Sequence, residues 1–154
     1  MCLIANEKEP KVANENLKCY KILDDAGTQY KTPWQRYFVS DDIVNGKETM
    51  KPESSSSEPE NQMAMDGTIH KVIRDGFIHS IDGYENAVVI LGIIKRMFHD
   101  LIKNPVLFEC EMPSGTEYFD GVDNNQYKGF ASKELKFVKR IEIEAEDEGV
   151  QDEP

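Results

Sequence analysis

Nowhere does this chain carry the run of about 18 apolar residues that a membrane-spanning helix needs. Its N-terminus also lacks a basic region followed by an apolar one, so an exported protein is not expected. Cysteine is scarce. Cys2, Cys19 and Cys110 form an odd, widely spaced set with no CxxC pair, which fits reduced thiols in a cytoplasm better than a disulfide framework. His70, His79 and His99 have neither the four-residue helical spacing nor a CxxC companion, so no metal site is expected. There is no phosphate loop, no GxGxxG and no GxSxG. The glycines stand singly, as turn or packing residues do.

A surplus of basic residues is missing too. The formal net charge is −11 over 154 residues, yet it is unevenly placed. Residues 41–66 hold seven acids and two bases, and residues 142–154 hold seven acids and no base. The remainder carries a net charge of only +1. The acidity therefore belongs to a linker and a tail, which weakens the reading of an acidic nucleic-acid mimic, since that requires negative charge on a rigid face. Lys133, Lys136, Lys139 and Arg140 alternate with a core face and read as a solvated strand edge, so no nucleic acid is expected as a partner.

What the chain does have is enough length for one domain with a core, 39% apolar residues and 31% charged ones. Residues 1–16 read as an irregular polar arm. Leu17–Leu23 (LKCYKIL) alternates as a strand does, and Asp24–Gly27 reads as a turn. Residues 28–40 read as two short strands bent at Pro33. Residues 45–64, with four consecutive serines, two prolines and several acids, read as a mobile insertion within the domain. Two strands, TIHKVI and GFIHSI, are expected to form a hairpin tipped by Arg74-Asp75-Gly76. One convincing helix follows, with Asp82 and Glu85 at capping-box spacing, an apolar stripe through Ile90, Ile94, Met97, Phe98 and Leu101, and an end at Asn104-Pro105.

From Val106 to Glu144 come alternating strands, a turn at Pro113-Ser114-Gly115 and a polar loop, VDNNQYKGFAS, before the closing strand KELKFVKRIEIE. The sum is an α+β fold: a single curved, mainly antiparallel sheet of about six short strands with one amphipathic helix packed on it. It spans residues 1–144 as one domain, followed by a disordered acidic tail at 145–154.

Three places could carry chemistry. Cys2 would become an N-terminal nucleophile if Met1 were removed, although a cysteine in an arm tucked against the sheet is the plainer reading. His79 and Ser80, in GFIHS, lie at a strand end beside a turn, where a histidine suits acid-base work and equally suits simple packing beside Phe77. Glu134 precedes the last strand after a loop, where a carboxylate could project into a cleft. As one member of a solvated face it would instead pair with a cross-strand lysine.

The segments MCL, CYKIL, GFIHS, FECEMPSGTEYFDG and ASKELKF, in that order, resemble a family of small uncharacterised proteins of tailed phages and gut bacteria. That resemblance implies no established activity. It makes the leading expectation a small accessory protein in the host-cell cytoplasm that binds a host or phage protein, or self-associates, without a cofactor. The same order is similar, at longer range, to ADP-ribosyltransferase-like folds, which implies NAD or another nucleotide as ligand. Under that alternative Tyr20 and Lys21 would bind the cofactor, and His79, Ser80 and Glu134 would be catalytic. Lys21 stands where Arg or His is usual in those folds, and no Ser-Thr-Ser run follows GFIHS.

Overall fold

A computed structural model describes residues 3–33, 37–52, 60–63, 65–73, 76–123 and 126–142. In chain order these contain β1 (Leu3–Ala5), β2 (Lys11–Val12), β3 (Leu17–Asp25), β4 (Tyr30–Lys31), β5 (Phe38–Val39), the one-turn helix α1 (Asp41–Val44), β6 (Glu60–Met63) and β7 (Ile69–Ile73). There follow β8 (Ile78–Ile81), the helix α2 (Tyr84–Met97), β9 (Pro105–Met112), β10 (Glu117–Val122), β11 (Lys128–Ser132) and β12 (Lys136–Ile141).

The expectation of an α+β fold with about six strands and one helix is corrected here. The described residues are mostly β, with 12 strands in one antiparallel sheet and two helices. The additional strands are two to five residues long, too short for their own alternation to announce them, and pairing with neighbours defines them. β1 and β2 lie in the arm read as irregular, β6 in the serine-rich insertion and β11 in the segment read as a loop.

The expected hairpin of TIHKVI with GFIHSI does not form either. β7 pairs with β1 and β6, whereas β8 pairs with β11 and β3. Its tip at Arg74 and Asp75 lies outside the described residues, as do Cys2, residues 53–59 and 64 of the serine-rich insertion, and the acidic tail.

The sheet runs β12-β9-β3-β8-β11-β10-β1-β7-β6. At its centre β3 and β9 pair in unbroken register from Leu17 and Met112 to Asp24 and Pro105. On one face Cys19, Leu23, Phe108, Cys110 and Phe137 form a core with Met50 and Leu135. There the Phe108 ring meets Phe137 edge-on at 5.2 Å, a favourable aromatic geometry. On the other face Tyr20, Ile22, Ile81 and Leu107 lie under α2, which buries Ala87, Val88, Leu91 and Ile94. A third cluster of Leu3, Ala5, Ile73, Phe119 and Ala131 fills the far end of the sheet.

Gly121 and Gly129 are register partners where β10 and β11 meet. A Cβ at Gly121 would run into the Ile4 carbonyl, and one at Gly129 would lie 2.7 Å from the Ser80 carbonyl oxygen. Neither position leaves room for a side chain.

The capping-box expectation also gives way. Gly83, with φ of 97°, is the N-cap of α2, and no side chain caps it. The Asp82 carbonyl instead accepts a hydrogen bond from Asn86 Nδ2 at 3.0 Å. The helix stops at Met97 rather than at Asn104, because the chain leaves helical geometry at Phe98. That exit turns Ile102, fully buried, back under the helix.

One feature of the topology makes a site. β9 occupies one edge of β3 throughout, so β8 and β4 share the other edge. β8 touches it at a single pair, Tyr20 with Ile81, and β4 pairs only at Asp24 and Asp25. Between them the sheet is split beside Lys21, Ile22 and Leu23.

Candidate functional site

The split is filled from within by Lys21. Its side chain is 8% exposed, and its ammonium donates to the His79 carbonyl oxygen at 2.8 Å. The lysine thus supplies a partner for a strand carbonyl at the place where β8 parts from β3. Beside it lies a cavity of about 50 Å³. Tyr20, Lys21 and Ile22 of β3 and His79, Ser80 and Ile81 of β8 form two walls. Thr32 and Pro33, just past β4, and Ile90 and Ile94 of α2 close it. Thr32 is pinned by accepting a hydrogen bond from the Tyr37 amide at 2.9 Å, and Tyr20 stacks edge-on against Tyr84 at 5.9 Å.

The electrostatics of this region are those of a dry core. Burial pushes the Lys21 amine down to about 8, with smaller opposing pulls from Cys110 and Cys19. Burial pushes the Cys19 thiol up to about 12 and holds the Cys110 thiol well above its ordinary value. The two cysteines are cross-strand register partners, both fully buried and both free thiols. The Ser80 hydroxyl draws the Cys19 thiol downward, but it sits outside hydrogen-bond geometry and is left buried without a partner among the described residues. Among the described residues no carboxylate lies within ion-pairing distance of Lys21.

Four of the six residues singled out from the sequence, Tyr20, Lys21, His79 and Ser80, therefore line one cavity. Glu134 does not. β11 and β8 pair from Gly129 with Ile81 to Ser132 with Ile78, so Glu134 lies past the far end of that pairing, away from Ile81. Its carbonyl accepts a hydrogen bond from Ser132 Oγ at 3.0 Å. No lysine pairs with its half-buried side chain among the described residues, contrary to the expected cross-strand ion pair. His70 sits on β7 with its ring against Thr68 at 2.9 Å, and His99 lies after α2 beside Asp100. Thr32, Pro33, Ile90 and Ile94 were not legible as site residues. Pro33 read only as a bend, and the isoleucines read only as core.

A second feature is an arm at the end of the sheet. β6 is exposed at all four residues and, among the described residues, pairs only with β7, where Met63 opposes Ile69. Met63, Met65 and Ile69 are exposed to 75%, 107% and 52%.

No family model, curated protein or solved structure gives a significant match to this chain. Among the described residues no helix is long and apolar enough to cross a membrane.

Proposed function

We propose that the protein acts by binding another protein, as a small accessory protein working in the cytoplasm of a phage-infected or phage-bearing cell. One observation carries this reading: the exposed apolar tip of the β6–β7 arm, where Met63, Met65 and Ile69 stand clear of the core. Methionine is flexible and polarisable, and it suits surfaces that must adapt to a partner. A strand that ends the sheet among the described residues also offers backbone groups to an incoming extended segment, so strand addition is the docking mode. Exposed apolar groups grouped in one place, with polar neighbours, are a usual mark of such surfaces.

The alternative of an ADP-ribosyltransferase-like enzyme draws support from the convergence of Tyr20, Lys21, His79 and Ser80. It draws none from Glu134, and a cavity of about 50 Å³ is far below the several hundred Å³ usual for cofactor pockets. The binding reading is tested by affinity capture from infected cells with the wild-type chain and with a Met63→Asp, Ile69→Lys double variant. A protein captured by the wild type and lost with the arm variant, but kept with Lys21→Met, is the expected result. Capture that is unchanged by the arm variant overturns it.

A further inference from the structure

The cavity at the β3–β8 split has a chemistry that the arm does not explain. Lys21 brings a positive charge beside a partly open cavity whose lining is largely apolar, with Ile22, Ile81, Ile90 and Ile94 among it. A buried charge is costly unless it is paired. Here the ammonium makes one hydrogen bond, to a neutral carbonyl, and has no carboxylate beside it among the described residues. Among the described residues the other two of its three N–H donors meet no acceptor. An anion is the group this environment lacks.

The anion's kind follows from charge, size and wall. A single ammonium neutralises one negative charge, and a dianion would carry uncompensated charge into the apolar walls. A cavity of about 50 Å³ has room for roughly three to five water-sized atoms, at about 10–15 Å³ each. The isoleucine side chains favour a short hydrocarbon stem opposite the charged head.

We propose that the split between β3 and β8 is a binding site for a carboxylate on a short apolar stem, with Lys21 as its anchor and Ile90 and Ile94 against the stem. Two sources share that chemistry, a free short-chain monocarboxylic acid and the C-terminal carboxylate of a peptide. The low pKa of the Lys21 amine accords with the site, since a bound anion would restore its proton affinity. This inference is independent of the arm, because it concerns the opposite side of β8 from the β7 end of the sheet.

Sodium propionate and acetyl-Gly-Gly-Ala with a free C-terminus are titrated separately into the full chain at pH 7, followed by methyl NMR of Ile90 and Ile94 and by calorimetry. Propionamide, the peptide amide and sodium chloride serve as neutral and ionic controls. Saturable shifts of both isoleucine methyls are expected with at least one carboxylate and with none of the controls. A ligand of this size binds in the millimolar to micromolar range at best. Binding by propionate alone names a free acid as the source, and binding by the peptide alone names a chain terminus. Lys21→Met, which keeps an unbranched side chain of similar length, is expected to weaken binding by roughly thirtyfold or more. The wild-type titration alone decides the matter should that variant fail to fold. No saturable response to either carboxylate, or an equal response to propionamide, overturns the proposal.

Discussion

Replacing Lys21 by methionine isolates the electrostatic cost of the split in the sheet. In the unfolded chain the amine holds its proton to about its ordinary 10.5, whereas in the folded protein burial lowers it to about 8. Below pH 8 both states are protonated, and the folded state bears the whole desolvation cost. Between pH 8 and 10.5 the unfolded state binds more protons, so the Lys21 contribution to stability rises with pH. A difference of about 2.5 pKa units corresponds to roughly 3 kcal/mol. The Met63-bearing arm is remote from this site, and among the described residues the titrating groups that act on Lys21 are the Cys110 and Cys19 thiols.

Those thiols act with the opposite sign, because their raised values make the folded state retain protons above pH 9. They are present in both proteins, so they largely cancel in the difference. Urea unfolding of wild type and Lys21→Met at half-unit steps from pH 7 to 10.5 is the assay. Wild type is expected to gain about 3 kcal/mol on the variant across that range. A difference that stays flat with pH would mean that the ammonium is solvated and that the split is not a dry site.

Three further outcomes are expected. Ser80→Ala removes a buried hydroxyl that has no partner among the described residues, and it should raise stability by about 1 kcal/mol in urea unfolding, within the roughly 1–3 kcal/mol cost of an unsatisfied group. Gly129→Ala forces a Cβ to within 2.7 Å of the Ser80 carbonyl oxygen and should cost about 1–3 kcal/mol or more, read as a lowered Tm. Cys19 and Cys110, fully buried with raised pKa values, should react with an aromatic disulfide only as fast as the protein opens, so labelling of these two thiols in a Cys2→Ser chain should follow the unfolding rate.

The long elements were legible. Leu17–Leu23 alternates clearly and became the central strand β3, and the stripe through Ile90 and Ile94 became the buried face of α2. Short strands were not. Leu3–Ala5 owes its conformation to pairing with β10, and no local pattern records a partner more than a hundred residues away, while Lys128–Ser132 is held between β10 and β8 and carries too little alternation of its own to announce a strand. The helix end at Phe98 was hidden because the apolar stripe continues through Leu101 and Ile102 after the backbone has turned.

At the candidate site, GFIHS and CYKIL stood out by composition, and both came to one cavity. Lys21 read as a polar residue of an alternating strand. That it is buried, and that it serves a carbonyl on a strand 58 residues away, depends on where β8 leaves β3. That departure is a property of the sheet and not of either segment.

Binding through the arm is the central claim, and site-specific photocrosslinking in infected cells tests it most directly. A photoreactive residue at Met63 on the β6–β7 arm is compared with one at Lys136 on β12, the opposite edge of the same sheet. A discrete adduct from position 63, absent from position 136, is the expected result. No adduct at position 63, or the same adducts from both edges, would contradict it.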